Sequence, residues 1–481
     1  MERFVLLSAI FWLPLIGAAA VFCIRGEERL VARNAGNVAL WVAFVTACVV
    51  MFVAFRFYGS SVVFYYDMKH LPSLEEECER FVVNALSVPF LCLNALSSLA
   101  AVWAVKRKTV TTRSALVMIL LIESFLSGVL FSDDLFVFFL FYEGAFIPLF
   151  LLTAVYGVLK DDRTFVKQCV YFFVSGALFL FGALYLLAQE GRLDFQALIQ
   201  GRRSMADQAL CAVLFLPSFF IALPVFPFNG WFRRVQSNGP SALTAVISGM
   251  LPVVALYGLF AVYLSFCPDF ATAAAPYLTV LAAFSALCAA KKTIKMKSVR
   301  KRLTDIHTVL TGVVCAALFS AERSVVTASL SFFIMHGVVF IAALLVLQVY
   351  FNRVRTNEEV KGLMSDMPFL GTAVFFVLCC DAAVPATPVF MPLFLTTGLL
   401  FAVSKTAAIM AGVAAVVVFL TTLTACYRLM SGERPAAVFP YLDVGMTGKI
   451  VLVCLVPCLF FLTVKYDVFA PYVGAAVATR W

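Results

Sequence analysis

Long apolar stretches, separated by short polar segments, run along the whole chain. Each is long enough for a helix that crosses all or most of a bilayer. They cover residues 4–23, 37–57, 86–105, 114–131, 135–156, 166–188, 207–227, 241–264, 272–290, 306–321, 325–350, 368–400, 406–427 and 447–464. This pattern predicts an all-α integral membrane protein with about 14 transmembrane helices. The longest polar stretch, about 58–82, is predicted to be a loop.

Prolines interrupt the seventh and the twelfth of these stretches. They are Pro224 and Pro227 in the seventh, and Pro385, Pro388 and Pro392 in the twelfth. Proline removes a backbone donor, and in lipid such backbone is tolerated only inside protein or beside water. Broken helices in corresponding positions indicate a transport site, and two harmless kinks are the alternative.

The spacing of the two breaks predicts the domain organisation. Because they are five helices apart, the chain is expected to hold two five-helix repeats of inverted topology, with helices 7 and 12 broken. We predict an N-terminal three-helix segment in 1–110, the first repeat in 111–265, the second in 266–430 and a C-terminal helix in 431–481. The first stretch has no signal-peptide cleavage site and is expected to be a retained helix.

Composition excludes a soluble protein and basic residues set the orientation. Of 481 residues, 63% are hydrophobic and 13% charged, whereas soluble domains are about 25% charged. Loops after odd-numbered helices hold 25 of the 36 Lys and Arg, which predicts both termini outside a bacterial inner membrane or an equivalent energy-transducing membrane. These clusters flank helices, so the net charge of +9 indicates anionic lipids as partners and not nucleic acid.

No cofactor motif is present in the sequence. The 14 Cys are scattered, with no Cys-x-x-Cys pair, and there is no P-loop, dinucleotide-binding glycine pattern or His-Glu-x-x-His. We therefore expect no metal or cofactor site in this chain, and any redox cofactor to be on other chains.

Four ionisable residues inside the apolar stretches are the candidate site. Glu143 lies in the middle of 135–159, where a carboxylate costs on the order of 2.5–3.5 kcal/mol. Glu123, His307 and His336 lie in or at the mouth of three other stretches. Glu and His side chains across a helical bundle can relay protons, and the alternative is that they bond neighbouring helices as neutral groups.

Two further charged residues are less informative. Asp381 and Lys405 are expected near helix ends or breaks, and Lys405 is expected to extend toward the headgroups.

An ordered set of motifs resembles the antiporter-like subunits of respiratory complex I, most of all subunit M of bacteria and subunit 4 of mitochondria. The motifs are DLFVFFLFYEGAFIPLFLLTAVYG at 134–157, PFNGWFRRVQSNGPSALTA at 227–245, DIHTVL around His307, Met335-His336-Gly337 and Val384-Pro385-Ala386-Thr387. The resemblance covers about 80–430. It implies a proton-conducting subunit among other membrane subunits of complex I, with NADH, FMN, iron–sulfur clusters and quinone on partner subunits.

The chain departs from the family at its central charges. By the resemblance, two buried lysines are replaced by Ala222 and Val253, and a carboxylate of the broken twelfth helix falls at or near Pro392. No Lys lies anywhere between 168 and 290. Glu143 then lacks a cationic partner, and since a lone buried charge costs roughly 3–5 kcal/mol it is expected to stay protonated. The hypothesis is a divergent member with a weakened or inactive proton channel.

Two other interpretations stay open. The chain could be a subunit of a multisubunit cation/proton antiporter, or a non-conducting structural paralogue in the membrane arm. The missing lysines favour the structural role over a full pump, and Glu123, Glu143 and the two His disfavour it.

Overall fold

Helices form most of the chain, as the apolar pattern predicts. The computed structural model describes residues 2–56, 58, 62–67, 80–105, 111–155, 162–223, 225–232, 235, 239–354, 361–431 and 446–480. Several basic residues that predict the orientation lie outside the described residues, at 106–108, 160, 233–234, 355 and 434. The acidic stretch 75–79 lies outside them as well.

The first half of the chain contains nine helices in these ranges. They are α1 Glu2–Cys23, α2 Glu28–Arg56, α3 Ser87–Ala104, α4 Thr111–Phe131, α5 Leu135–Val155, α6 Asp162–Glu190, α7 Phe195–Gln200, α8 Met205–Ala222 and α9 Ser241–Leu264. Within α9, Ala245–Met250 and Leu259–Leu264 are π-helical. Such segments are frequent at functional sites, and the apolar pattern does not distinguish them from α-helix.

The second half contains a further nine described helices. They are α10 Pro268–Thr293, α11 Val299–Leu318, α12 Arg323–Val354, α13 Leu363–Asp366, α14 Pro368–Asp381, α15 Phe390–Val403, α16 Lys405–Met430, α17 Met446–Val464 and α18 Ala470–Arg480.

Eleven of the described helices are long and apolar enough to cross a membrane. A multi-pass helical membrane protein is therefore confirmed, and the number of fourteen spans stays a prediction. Ser298 and Ser404 cap α11 and α16, each accepting a hydrogen bond from a backbone N–H in the first turn. Ser204 and Asp207 form a reciprocal capping box at the start of α8.

The predicted loop at 58–82 contains a small hairpin instead. Strands β1 Val62–Asp67 and β2 Arg80–Asn84 pair antiparallel. Their sequences, VVFYYD and RFVVN, are rich in β-branched and aromatic residues, which favour strands.

Both predicted helix breaks are present. The helix of the seventh stretch ends at Ala222, and the twelfth stretch forms two helices, α14 and α15. Between α14 and α15, Ala383 and Ala386 have φ of 53° and 68°. A left-handed backbone costs an L-residue roughly 1–2 kcal/mol, so the surrounding protein holds this break in place.

The described residues group into two compact units. Unit one comprises Met1–Pro224, Phe228–Ala274 and Pro471–Trp481, and unit two comprises Val225–Pro227 and Ala275–Ala470. In unit one, α4 packs against α1 and α5, and α6 against α8. In unit two, α12 packs against α11, α14 and α15. The predicted four-part division into 1–110, 111–265, 266–430 and 431–481 stays a prediction.

Close packing at Gly258 gives a test of the core of unit one. A Cβ at Gly258 would lie 2.1 Å from the ring of Phe219, which is fully buried. We expect Gly258→Ala to destabilise the protein by about 1–3 kcal/mol, because the ring has no room to move. Gly398→Ala is the control, since nothing lies within 4 Å of its added Cβ. Thermal unfolding in detergent measures both, and equal melting temperatures for the two variants would contradict the packing.

Candidate functional site

The two histidines of the apolar core meet in unit two. His307 lies on α11 and His336 on α12, and their side chains are 1% and 0% exposed. Nδ1 of His307 is 3.1 Å from Nε2 of His336, a hydrogen bond in which either nitrogen is the donor. The rings stack with centroids 5.2 Å apart. A direct hydrogen bond between two imidazoles gives a proton a path from one ring to the other.

The other nitrogen of His336 faces a carboxylate. Nδ1 of His336 is 3.6 Å from Oδ1 of Asp381, the last residue of α14. Asp381 is fully buried. Asp381 lies at a helix end, as its position in a proline-interrupted stretch predicts, but the sequence does not indicate its proximity to the histidines. The available signal was a lone carboxylate in a broken apolar helix.

Apolar rings surround His307, His336 and Asp381, and several polar atoms of this cluster have no hydrogen-bond partner. The Phe340 ring lies 4.4 Å from that of His307, and Phe332 lies beside His336. Nε2 of His307 and both carboxylate oxygens of Asp381 have no hydrogen-bond partner. Thr311 Oγ1, one turn after His307, has none either. Buried polar atoms normally bind protein or water, so this cluster is suited to binding water or a mobile proton.

Glu123 lies in unit one within a polar ladder between α3 and α4. Ser98 Oγ donates to Glu123 Oε2 at 2.6 Å, and Asn94 Nδ2 donates to the Glu123 carbonyl oxygen and to Ser127 Oγ. All four residues are buried. Glu123 Oε1 has no partner. The ladder fixes one oxygen of the carboxyl group and leaves the other free to take or give a proton.

Glu143 lies on the outward stripe of α5. Leu140 and Ile147, one turn away on either side, are 51% and 64% exposed. The carboxyl group is half-buried against α6, where a Cβ at Gly176 would lie 2.6 Å from its carbon. Oε1 of Glu143 has no partner. The carboxyl group therefore lies between α5 and α6, next to an exposed stripe of α5.

Aromatic rings fill the interior of unit one beside α5. Phe138 stacks on Phe179 at 5.7 Å, and Phe219 packs edge-on against Phe179 and Tyr142. The positions where the resemblance implies lysines are buried and apolar, Ala222 at the end of α8 and Val253 in α9. Pro392, the position of the implied carboxylate, is buried in α15. No cation reaches Glu143 among the described residues.

The four predicted site residues therefore separate into two groups. His307 and His336 contact each other in unit two, while Glu123 and Glu143 lie in unit one and face different helices. The described His, Cys, Asp and Glu side chains form no group of three that could hold a metal ion.

These features define a class of protein: a multi-pass helical membrane protein with a helix broken in the bilayer and buried titratable residues beside the break. Residues 132–419 match the family described as NADH:quinone oxidoreductase/Mrp antiporter, TM. The chain belongs to this family.

Curated relatives share the family over most of their length. The chain is 23% identical over 399 residues to NADH-ubiquinone oxidoreductase chain 4 of Marchantia polymorpha, covering 81% of this chain and 79% of the relative. It is 24% identical over 427 residues to NADH-quinone oxidoreductase subunit M of Rhodobacter capsulatus, covering 84% and 82%.

Solved structures share the fold. A chain of respiratory complex I from Thermus thermophilus matches with a TM-score of 0.84 at 20% identity, covering 99% of both chains. A chain of the Mrp complex from Dietzia matches with a TM-score of 0.85 at 17% identity, covering 100% of this chain and 97% of the other.

Proposed function

We propose that the chain is a proton-conducting membrane-arm subunit of an NADH:quinone oxidoreductase. The observation that carries this is the direct contact between His307 and His336 in the apolar core of unit two. Family membership and the names of the curated relatives support the type of assembly. Proton movement needs no redox group here, so NADH, FMN, iron–sulfur clusters and quinone belong to partner subunits.

The histidine pair conducts by a shift of protons between adjacent ring nitrogens. A proton on Nδ1 of His307 passes to Nε2 of His336, and His307 regains one at its free Nε2. Each imidazole accepts on one nitrogen and releases from the other, so no net charge stays in the apolar core. Glu123, with one free carboxyl oxygen, and Glu143 are the candidate carriers of unit one.

Proton conduction through Glu143 is expected to be low in this chain. The carboxyl group of Glu143 packs against α6, and aromatic rings occupy the interior beside α5 where a partner cation would lie. A cation for Glu143 has to come from an adjacent membrane subunit. Without one, the carboxyl group stays protonated, because an unpaired charge there is costly.

Glu143→Gln tests this weakness. We expect proton flux to fall by less than about tenfold, because glutamine replaces a carboxyl group that is already neutral. Leu140→Gln, which adds the same amide one turn away on the same exposed stripe, controls for altered contacts with lipid or a neighbour. Flux is measured by dye quenching in vesicles with the assembled complex. A loss as severe as that of a histidine variant would refute a neutral Glu143.

A cation/proton antiporter subunit is the second candidate. The full-length structural match to the Mrp complex chain favours it as much as the match to complex I favours the first. Isolation of the tagged chain with its partners separates the two. A complex I assembly contains flavin and iron–sulfur signals and oxidises NADH. An antiporter assembly lacks them and exchanges protons for Na⁺.

A non-conducting structural paralogue is the third candidate, favoured by the apolar packing of unit one. If the chain does not conduct protons, proton flux of the assembled complex should be unchanged in every variant of His336.

We also propose that both termini lie outside a bacterial inner membrane or an equivalent energy-transducing membrane. The loop distribution of Lys and Arg supports this orientation, and the same clusters supply sites for anionic lipids. Cysteine tags added to the termini test it. They should react with a membrane-impermeant maleimide in intact cells, and protection from the reagent would reverse the orientation.

A further inference from the structure

The break between α14 and α15 holds a carboxyl group in the core of unit two. Asp381 ends α14, and the chain then turns through Ala383 and Ala386, both with left-handed φ. The strained backbone costs free energy that function or packing must offset. Partial negative charge at the carbonyl end of α14 attracts a proton or an imidazolium to this point.

The two ring nitrogens of His336 face two different titratable groups. Nε2 contacts His307 at 3.1 Å, and Nδ1 lies 3.6 Å from Oδ1 of Asp381. An imidazole relays a proton only if it accepts on one nitrogen and releases from the other. His336 therefore has a titratable group near each ring nitrogen, hydrogen-bonded at Nε2 and not yet hydrogen-bonded at Nδ1.

The carboxyl group of Asp381 has no other use in the described structure. It is fully buried, and neither oxygen has a hydrogen-bond partner. A structural aspartate at a helix end normally accepts backbone or side-chain hydrogen bonds, since an unsatisfied buried polar group costs about 1–3 kcal/mol. The 3.6 Å separation closes to a hydrogen bond by a small shift or through one water molecule.

We infer that Asp381 is the next proton carrier after His336, which makes the relay His307, His336, Asp381. This inference rests on the proposed function. In the step, the N–H bond at Nδ1 of His336 breaks and an O–H bond forms at Oδ1 of Asp381. Nε2 of His336 meanwhile takes the proton from Nδ1 of His307. The Asp381 proton then passes to a water molecule, since neither carboxyl oxygen has a hydrogen-bond partner within the described residues.

Asp381→Asn tests the inference in the assembled complex in vesicles. Asparagine keeps the size of the side chain but cannot pass a proton on, so we expect flux to fall by about 100-fold or more. Asp381→Glu restores a carboxyl group and should recover a large part of the flux. Cys380→Ala is the control, because Cys380 is buried next to Asp381 and is not part of the proposed relay. It should leave flux near the wild-type value.

A spectroscopic measurement separates proton transfer from a structural role. Infrared difference spectra during turnover, with ¹³C-labelled aspartate, should contain a carboxyl band that Asp381→Glu shifts and His336→Ala abolishes. This readout keeps the inference testable if Asp381→Asn does not assemble.

The outcomes separate the two proposals. Loss of flux in Asp381→Asn with recovery in Asp381→Glu supports the relay. Full flux in Asp381→Asn, or a carboxyl band unaffected by both variants, overturns the role of Asp381, and the proposed function stands if His336→Ala still blocks flux. Full flux in His336→Ala overturns both.

Discussion

Replacing His336 with alanine is expected to lower proton flux through the chain by about 100-fold or more, the usual contribution of a positioned proton-transfer group. His336 is buried between His307 and Asp381, so its removal breaks the chain of contacts between them. Dye quenching in vesicles with the assembled complex measures the loss.

Met335→Ala is the matched control for His336→Ala. Met335 is the preceding residue of α12, is equally buried and carries no exchangeable proton. Both variants leave a cavity in the same helix, so a packing defect would affect them alike. Equal flux in the two variants would mean that His336 acts only through packing.

The second large loss of proton flux is expected for His307→Ala. Its effect should not add to that of His336→Ala. His307→Ala should lower flux about as far as His336→Ala, because the two rings form one series path. The double variant should lose no more than either single variant, since residues that act as a unit are strongly non-additive. Multiplied losses in the double variant would indicate two independent paths.

Much of the fold could be predicted from the sequence because the bilayer imposes strong constraints. Apolar length predicts helices, and prolines in an apolar stretch predict the break between α14 and α15. Strands β1 and β2 are not evident from the polar character of 58–82 as a whole, although VVFYYD and RFVVN have strand composition. The π segments of α9 leave no signal in hydropathy.

The candidate site was less predictable for a physical reason. Lipid and protein interior are both apolar, so the pattern around Glu143 cannot distinguish the face of α5 that is buried from the face that is exposed. Phe138 points inward and Leu140 outward, and both are hydrophobic. The sequence therefore predicts Glu143 as a proton-path candidate, but it does not indicate that the carboxyl group packs against α6.

The sequence identifies the two histidines as candidates, but it does not identify Asp381 as their partner. His307 and His336 stand out as rare titratable residues in apolar helices. Their contact depends on how α11 crosses α12, and the approach of Asp381 depends on where the break ends α14. Neither crossing nor break geometry is encoded in local spacing.

The central claim is that protons move through the histidine pair of unit two. The most direct test is the infrared difference spectrum of the assembled complex during turnover, with ¹⁵N-labelled histidine in this chain. The chain has three His, so His70→Gln leaves the signals of His307 and His336 alone. The relay predicts imidazole bands that change protonation as the complex turns over. Histidine bands that stay constant while protons are pumped would contradict it.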